Sequence, residues 1–322
     1  MTRALTTRLP FAIAVLLLAL HAGNDTWGAD GGAFTKLLAD WFQPASFLVC
    51  GLAVLARARG ATRRAPWLLL GIGLVLYAGG NVYFNFASES GQVPGFPSAA
   101  DCLWLSLYPL TFASLAALLR GRFTGLKLAV WLDGVIGGGV VAAVVAAVVF
   151  NPVFDITVAG GAASVARLAY PVGDLITVGV VIAVWSIAGR RLDPFWALLG
   201  AGFGLLAIAD SFYVVQAAHG TWAPGNALDY PYALATLLIA ASVWMPRPSP
   251  VPRGADEHTG VWLAVACGLT ALLLTSIAAL VGLNPLATAL SLLTMLAVVM
   301  RLGSTLARAN SQSRAMAELA AS

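Results

Sequence analysis

Apolar residues in this chain gather into long runs separated by short polar gaps. A membrane-spanning helix needs about 20 mainly apolar residues. Read at that length, the pattern predicts helices near 9–27, 41–58, 66–86, 99–120, 128–150, 165–189, 195–216, 227–245, 261–281 and 284–306. The expected fold class is therefore all-α, a polytopic membrane helical bundle of about ten transmembrane helices. The first run, Leu9 to Leu20, is short and follows Arg3 and Arg8, which also describes a secretory signal peptide. A small-residue cleavage site is poorly formed around Ala22 or Ala29, so a retained helix is expected.

The gaps orient the bundle. All but two of the 18 Lys and Arg residues fall in every second gap, beginning with Arg3 and Arg8 and ending with Arg301, Arg308 and Arg314. The intervening gaps hold only Lys36 and Arg167. Cytoplasmic loops collect Lys and Arg, so both termini are expected in the cytoplasm. Trp67, Trp131, Trp185, Trp196, Trp244 and Trp262 lie toward the basic ends. Trp27, Trp41, Trp104 and Trp222 lie toward the other, as two interfacial belts require. The exported loops are acidic, with Asp25, Asp30, Asp40, Glu89, Asp155 and Asp229.

Composition changes the picture only by exclusion. The chain is 60% hydrophobic and 10% charged, with a mean hydropathy of +0.86, against about 25% charged in a soluble domain. Its net charge of +4 sits in short loops, where topology and lipid headgroups account for it without nucleic acid. Cys50, Cys102 and Cys267 are isolated and make neither a disulfide framework nor a metal cage. His21, His219 and His258 have no partner at metal-ligand spacing, and no nucleotide loop, nucleophile elbow or zinc motif occurs in a suitable context. Gly137-Gly138-Gly139 lies inside an apolar helix. Neither enzymatic activity nor a cofactor is expected.

Two patterns run through the helices. Tyr-Pro occurs at Tyr108-Pro109, Tyr170-Pro171 and Tyr230-Pro231, early in the fourth, sixth and eighth helices, which suggests two-helix hairpin repeats. Pro44 and Pro285 take similar places in the second and tenth, where first-turn proline preference is explanation enough. Ser98-x-x-Asp101 reads as a capping box opening the fourth helix, so Pro109 should kink it from within. Small residues recur every four positions at Gly134, Gly138, Ala142 and Ala146, and at Gly200 and Gly204, favouring close helix approach.

Candidate chemistry lies in the costly positions. An ionisable side chain at a helix centre costs about 2.5–3.5 kcal/mol on insertion scales and usually faces the bundle interior. Asp174 and Asp210 are such cases on the sixth and seventh helices. Arg167, Tyr170 and Asp174 form one stripe, Asp210 and Tyr213 another, and Tyr77, Asn81 and Asn85 a third. With Tyr108, Tyr230 and Tyr232 they predict an outward-facing polar cavity that binds a ligand, ion or proton. Interhelical hydrogen-bonding glue is the alternative role. Asp133 reads as a packing or interface group.

After 1–306, the expected membrane domain, residues 307–322 form a cytoplasmic tail. Leu302, Leu306, Ala309, Ser313, Met316 and Ala320 make a short heptad seam, through which a second copy of the chain is a candidate partner.

The segments PSAADCLWLSLYPL, LDGVI, AYPVGDL and IADSFY, in this order, resemble the multi-span N-terminal membrane region of bacterial, especially actinobacterial, GGDEF and EAL signalling proteins. The resemblance covers about residues 40–245 and the tail. Asp101, Tyr108, Asp133, Tyr170, Asp174, Asp210 and Tyr213 match its pattern, while Asn81 stands where an Asp is expected. It implies a sensory input module for cyclic-di-GMP-type signalling, coupled to a cytoplasmic output domain or partner. The sequence has no GGDEF, EAL or kinase signature, so no cyclase or phosphodiesterase activity is implied for it. A small ten-helix drug/metabolite-type transporter is the competing reading, since paired membrane aspartates suit proton coupling. The like-oriented two-helix period fits the inverted repeats of many transporters poorly.

Overall fold

The computed structural model describes residues 2–27, 32–91, 95, 97–122, 128–151, 162–187, 194–222, 227–245 and 257–321. Every regular element among them is helical: α1 (Thr2–Trp27), α2 (Ala33–Arg59), α3 (Ala65–Glu89), α4 (Ala99–Leu105), α5 (Leu107–Arg122), α6 (Leu128–Val145), α7 (Ala162–Ile187), α8 (Pro194–Ala218), α9 (Asp229–Ser242), α10 (Glu257–Val281) and α11 (Pro285–Ala321). Among the described residues, six stretches are long and apolar enough to cross a membrane: Asp40–Arg59, Ala65–Glu89, Ala99–Leu119, Pro194–Ala218, Ala264–Val281 and Pro285–Glu318. Leu9–His21, Leu132–Val148 and Ala169–Ile182 are shorter apolar stretches.

Several boundaries differ from the hydropathy reading. The fourth predicted helix breaks at Ser106, three residues before Pro109. A proline ring obstructs the carbonyl four residues earlier, here Leu105, the last residue of α4. The chain bridges the break with Ser106 N–H bonded to the Cys102 carbonyl at 3.2 Å and Leu110 N–H to the Ser106 carbonyl at 3.3 Å. Pro44 is not in a first turn: α2 begins at Ala33 and holds Pro44 inside it. The eighth predicted helix shrinks to the 14 residues of α9, about 21 Å at 1.5 Å per residue. No break separates residue 306 from 307, because α11 runs unbroken for 37 residues.

The chain divides into two compact units. The first contains α1 to α5, α7 as far as Thr177, α8 and α9. In it α2 packs on α1, α3 and α9, α3 packs on α4 and α5, and α8 packs on α9. Small residues set the α2–α3 distance: a Cβ on Gly71 would lie 2.7 Å from Leu55 Cγ, and one on Gly51 would lie 3.1 Å from the Val75 nitrogen. On α8 the close approach falls to Gly202, where a Cβ would lie 2.9 Å from the Ala235 carbonyl, whereas Gly204 faces open space. Of the predicted Gly200–Gly204 pair, Gly204 makes no close approach.

The second unit holds α6, α7 from Val178, α10 and α11. Leu132, Ile136, Ala264, Ala297 and Val298 form its core. A Cβ on Gly179 of α7 would stand 2.2 Å from Gly138 Cα, so these two backbones meet where the small-residue spacing on α6 predicts. Past Val145 the helix widens into a π turn, Ala146–Phe150. The Ala146 carbonyl accepts from Asn284 Nδ2 at 2.7 Å, and Asn284 Oδ1 caps α11 by accepting from Ala287 N–H at 2.8 Å. The α10–α11 turn passes through Gly282 at φ 78°, a left-handed conformation suited to glycine. Large apolar side chains stand exposed on both helices, including Leu273, Leu280, Leu293 and Val299, which suits lipid better than water.

Candidate functional site

The site in the first unit starts at the α4 N-terminus. Ser98 and Asp101 make the predicted capping box, with Ser98 N–H donating to Asp101 Oδ2 at 2.6 Å. The other carboxylate oxygen is not idle: Tyr170 of α7 donates its hydroxyl to Asp101 Oδ1 at 2.8 Å. One acidic side chain therefore caps a helix and anchors a second one.

Asp210 of α8 is buried and accepts two phenol hydroxyls, Tyr108 from α5 at 3.2 Å on Oδ2 and Tyr232 from α9 on Oδ1. Asp174 of α7 is wholly enclosed, at 0% exposure. It is an immediate electrostatic neighbour of Asp210 and Tyr108, yet neither of its oxygens completes a hydrogen bond. Gly173 makes this approach feasible, since a Cβ there would fall 2.4 Å from the Tyr108 ring. Tyr77 of α3 stacks on Phe47 with ring centroids 4.3 Å apart and lies in the field of both carboxylates.

Of the residues singled out by sequence, the structure brings Asp174, Asp210, Tyr108 and Tyr170 into one core. Tyr213 sits one turn beyond Asp210, its ring edge-on to Trp222 at 5.7 Å. Asn81 stands one step outside, accepting from Trp104 Nε1 at 2.7 Å. Tyr230 turns instead toward His21, ring centroids 4.9 Å apart, and its neighbour Tyr232 occupies the Asp210 position. The side chain of Arg167 lies outside the described residues. Asp101, which its own spacing marked as a cap and the resemblance as a pattern match, was not among the residues expected to line the site. Asp101, Asp174, Asp210 and the tyrosines bonded to them are all buried, so among the described residues the group forms a buried polar cluster. Among the described residues no group of three or more His, Cys, Asp or Glu side chains could hold a metal ion.

A second buried polar feature belongs to the other unit. Arg301 of α11 donates through Nε to Asp133 Oδ1 at 2.8 Å and through Nη2 to Oδ2 at 3.4 Å. Its Nη1 reaches Thr305 one turn on. Arg301 is 1% exposed and Asp133 7%. The sequence reading placed Arg301 among the loop charges. It is an internal partner, and Asp133 is the packing group it was expected to be, with this ion pair as its content.

No protein-family model matches the chain, and no significant similarity to curated proteins or to solved structures is found.

Proposed function

We propose that this chain is a bacterial plasma-membrane protein of about ten spans, with both termini cytoplasmic, acting as a sensory input module. In this reading, occupancy of the Asp174–Asp210 core favours one of two helix arrangements, and a cytoplasmic output domain or partner reads the change, as in cyclic-di-GMP-type signalling. The observation that carries it is Asp174, enclosed among helices with both oxygens lacking a donor. A structural carboxylate so fully buried is normally satisfied, as Asp101 and Asp210 are. Intramembrane ionisable groups are by default functional candidates.

The output side is supported by α11. Its 37 residues extend about 55 Å, well beyond a hydrocarbon core of about 30 Å. Beyond Arg301 it is increasingly exposed, which suits an arm that meets a partner. A ligand shifts an equilibrium only by its differential affinity for two states, so the test is functional. Residues 1–322 are fused to a cyclase output domain, and Asp174→Asn and Asp210→Asn are compared across external conditions. Output that ignores both substitutions under every condition overturns the sensor. The adjacency of two acidic side chains on different helices also suits a proton-coupled transporter. Substrate flux in proteoliposomes by the unfused chain, abolished by the same substitutions, would establish that reading instead.

A further inference from the structure

The core of the first unit is one hydrogen-bond donor short. Tyr108 and Tyr232 each commit a hydroxyl proton to Asp210, and Tyr170 commits its proton to Asp101. The described hydrogen bonds include none from Tyr77 to either carboxylate. Asp174 is left facing Asp210, and two carboxylates can only accept. Both Asp174 oxygens are buried without a partner. Like charges side by side in a buried site disfavour the ionisation of both.

We infer that the ligand of this core is a single proton held between Asp174 and Asp210. A proton from the aqueous phase forms one O–H bond on a carboxylate oxygen. That O–H then donates to the facing carboxylate, and the pair loses one of its two negative charges. No other reactant is needed. Among the described residues the groups set around the pair are Tyr77 from α3, Tyr108 from α5, Tyr170 from α7 and Tyr232 from α9, none of them basic. Larger ligands fit poorly. Gly173 already has the Tyr108 ring against it, and Tyr77, Tyr108, Tyr170 and Tyr232 are all buried, so a small ligand suits the site best. The described residues offer no three-ligand set for a divalent metal.

This inference rests on the core being the ligand site, but not on signalling. Its test is difference infrared spectroscopy of the full chain in nanodiscs, with carbon-13-labelled aspartate. Across neutral pH the protein should show the carbonyl stretch of one protonated aspartic acid, shifted in heavy water. In Asp174→Asn the amide supplies the missing donor to Asp210, so the band should vanish while the helical circular dichroism persists. A wild-type spectrum without a protonated aspartate overturns the proposal even if the variant fails to fold. So does a band that survives Asp174→Asn, or one that disappears when sodium replaces potassium, which identifies sodium as the ligand. Persistence of the band in Arg167→Gln is expected; its loss would make Arg167 part of the site and also count against a simple shared proton. If the band behaves as expected while the cyclase fusion gives constant output, the sensor reading fails and the proton site stands.

Discussion

Arg301→Met takes both guanidinium donors from Asp133 while keeping most of the side-chain length in a fully buried position. The wild-type pair is nearly closed to solvent and makes two bonds, at 2.8 and 3.4 Å. Breaking such a pair from one side leaves an uncompensated buried charge and typically costs about 3–5 kcal/mol. In the proposed topology Asp133 stands toward one end of a span, where a lone carboxylate costs less than at the helix centre. About 3 kcal/mol is therefore the expected loss for Arg301→Met, roughly a hundredfold in the folding constant. The double variant Asp133→Leu/Arg301→Met replaces the pair with apolar groups, and such replacements are often neutral. It should return to within about 1 kcal/mol of wild type. Equilibrium unfolding in mixed detergent and sodium dodecyl sulfate micelles, read by circular dichroism, measures all four corners of the cycle. If Arg301→Met costs under about 1 kcal/mol, or if the double variant equals the sum of the singles, the pair does not couple α6 to α11 as its geometry requires.

Other consequences can be measured in the same way. Gly179→Ala drives a methyl into the Gly138 backbone, a contact that has no flexible side chain to yield, and should cost about 1–3 kcal/mol. Gly204→Ala, with nothing within 4 Å, should be neutral or slightly stabilising, by up to about 1 kcal/mol; equal losses at the two sites would refute the packing assignment. Tyr232→Phe removes one of the two hydroxyl donors to Asp210 and should cost about 1–3 kcal/mol, against about 0.5 kcal/mol or less for the exposed Tyr83→Phe. For the proposed topology, single cysteines at Ser90 and His219, in a chain lacking Cys50, Cys102 and Cys267, should label from outside intact cells. Protection of both would overturn the assignment of those loops to the exterior.

The all-helical fold was legible because apolar runs of spanning length have few alternatives. Helix ends were less so, because hydropathy is a poor guide where backbone propensity decides. The segment from Ala33 to Asp40 is helical despite Lys36 and Asp40, since Ala, Leu and Lys all favour helix. Pro109 marked the right region but the wrong residue: a proline acts on the carbonyl one turn earlier, so the break appears at Ser106. Arg301 was counted as a loop charge because it closes an apolar run. Its partner lies 168 residues away, and no local periodicity carries that information.

For the site, the informative signal was energetic cost. Asp174 and Asp210 stood out because a carboxylate within an apolar helix needs a reason to be there, and the structure sets them side by side. What the sequence could not order was the ring of donors around them. Tyr230 drew attention through its proline, yet Tyr232 donates to Asp210. Two residues on a helix are about 200° apart, so only tertiary packing selects between them. Asp101 was concealed by its own adequacy: a capping box accounts fully for an Asp at that position, and nothing local reveals that the second oxygen serves Tyr170 on another helix. The same accounting isolates Asp174. Once every phenol proton with a described bond is assigned, Asp101 and Asp210 are satisfied and Asp174 is not. The distinction between structural glue and a binding group, open in the sequence, thus becomes a question of where one missing donor comes from.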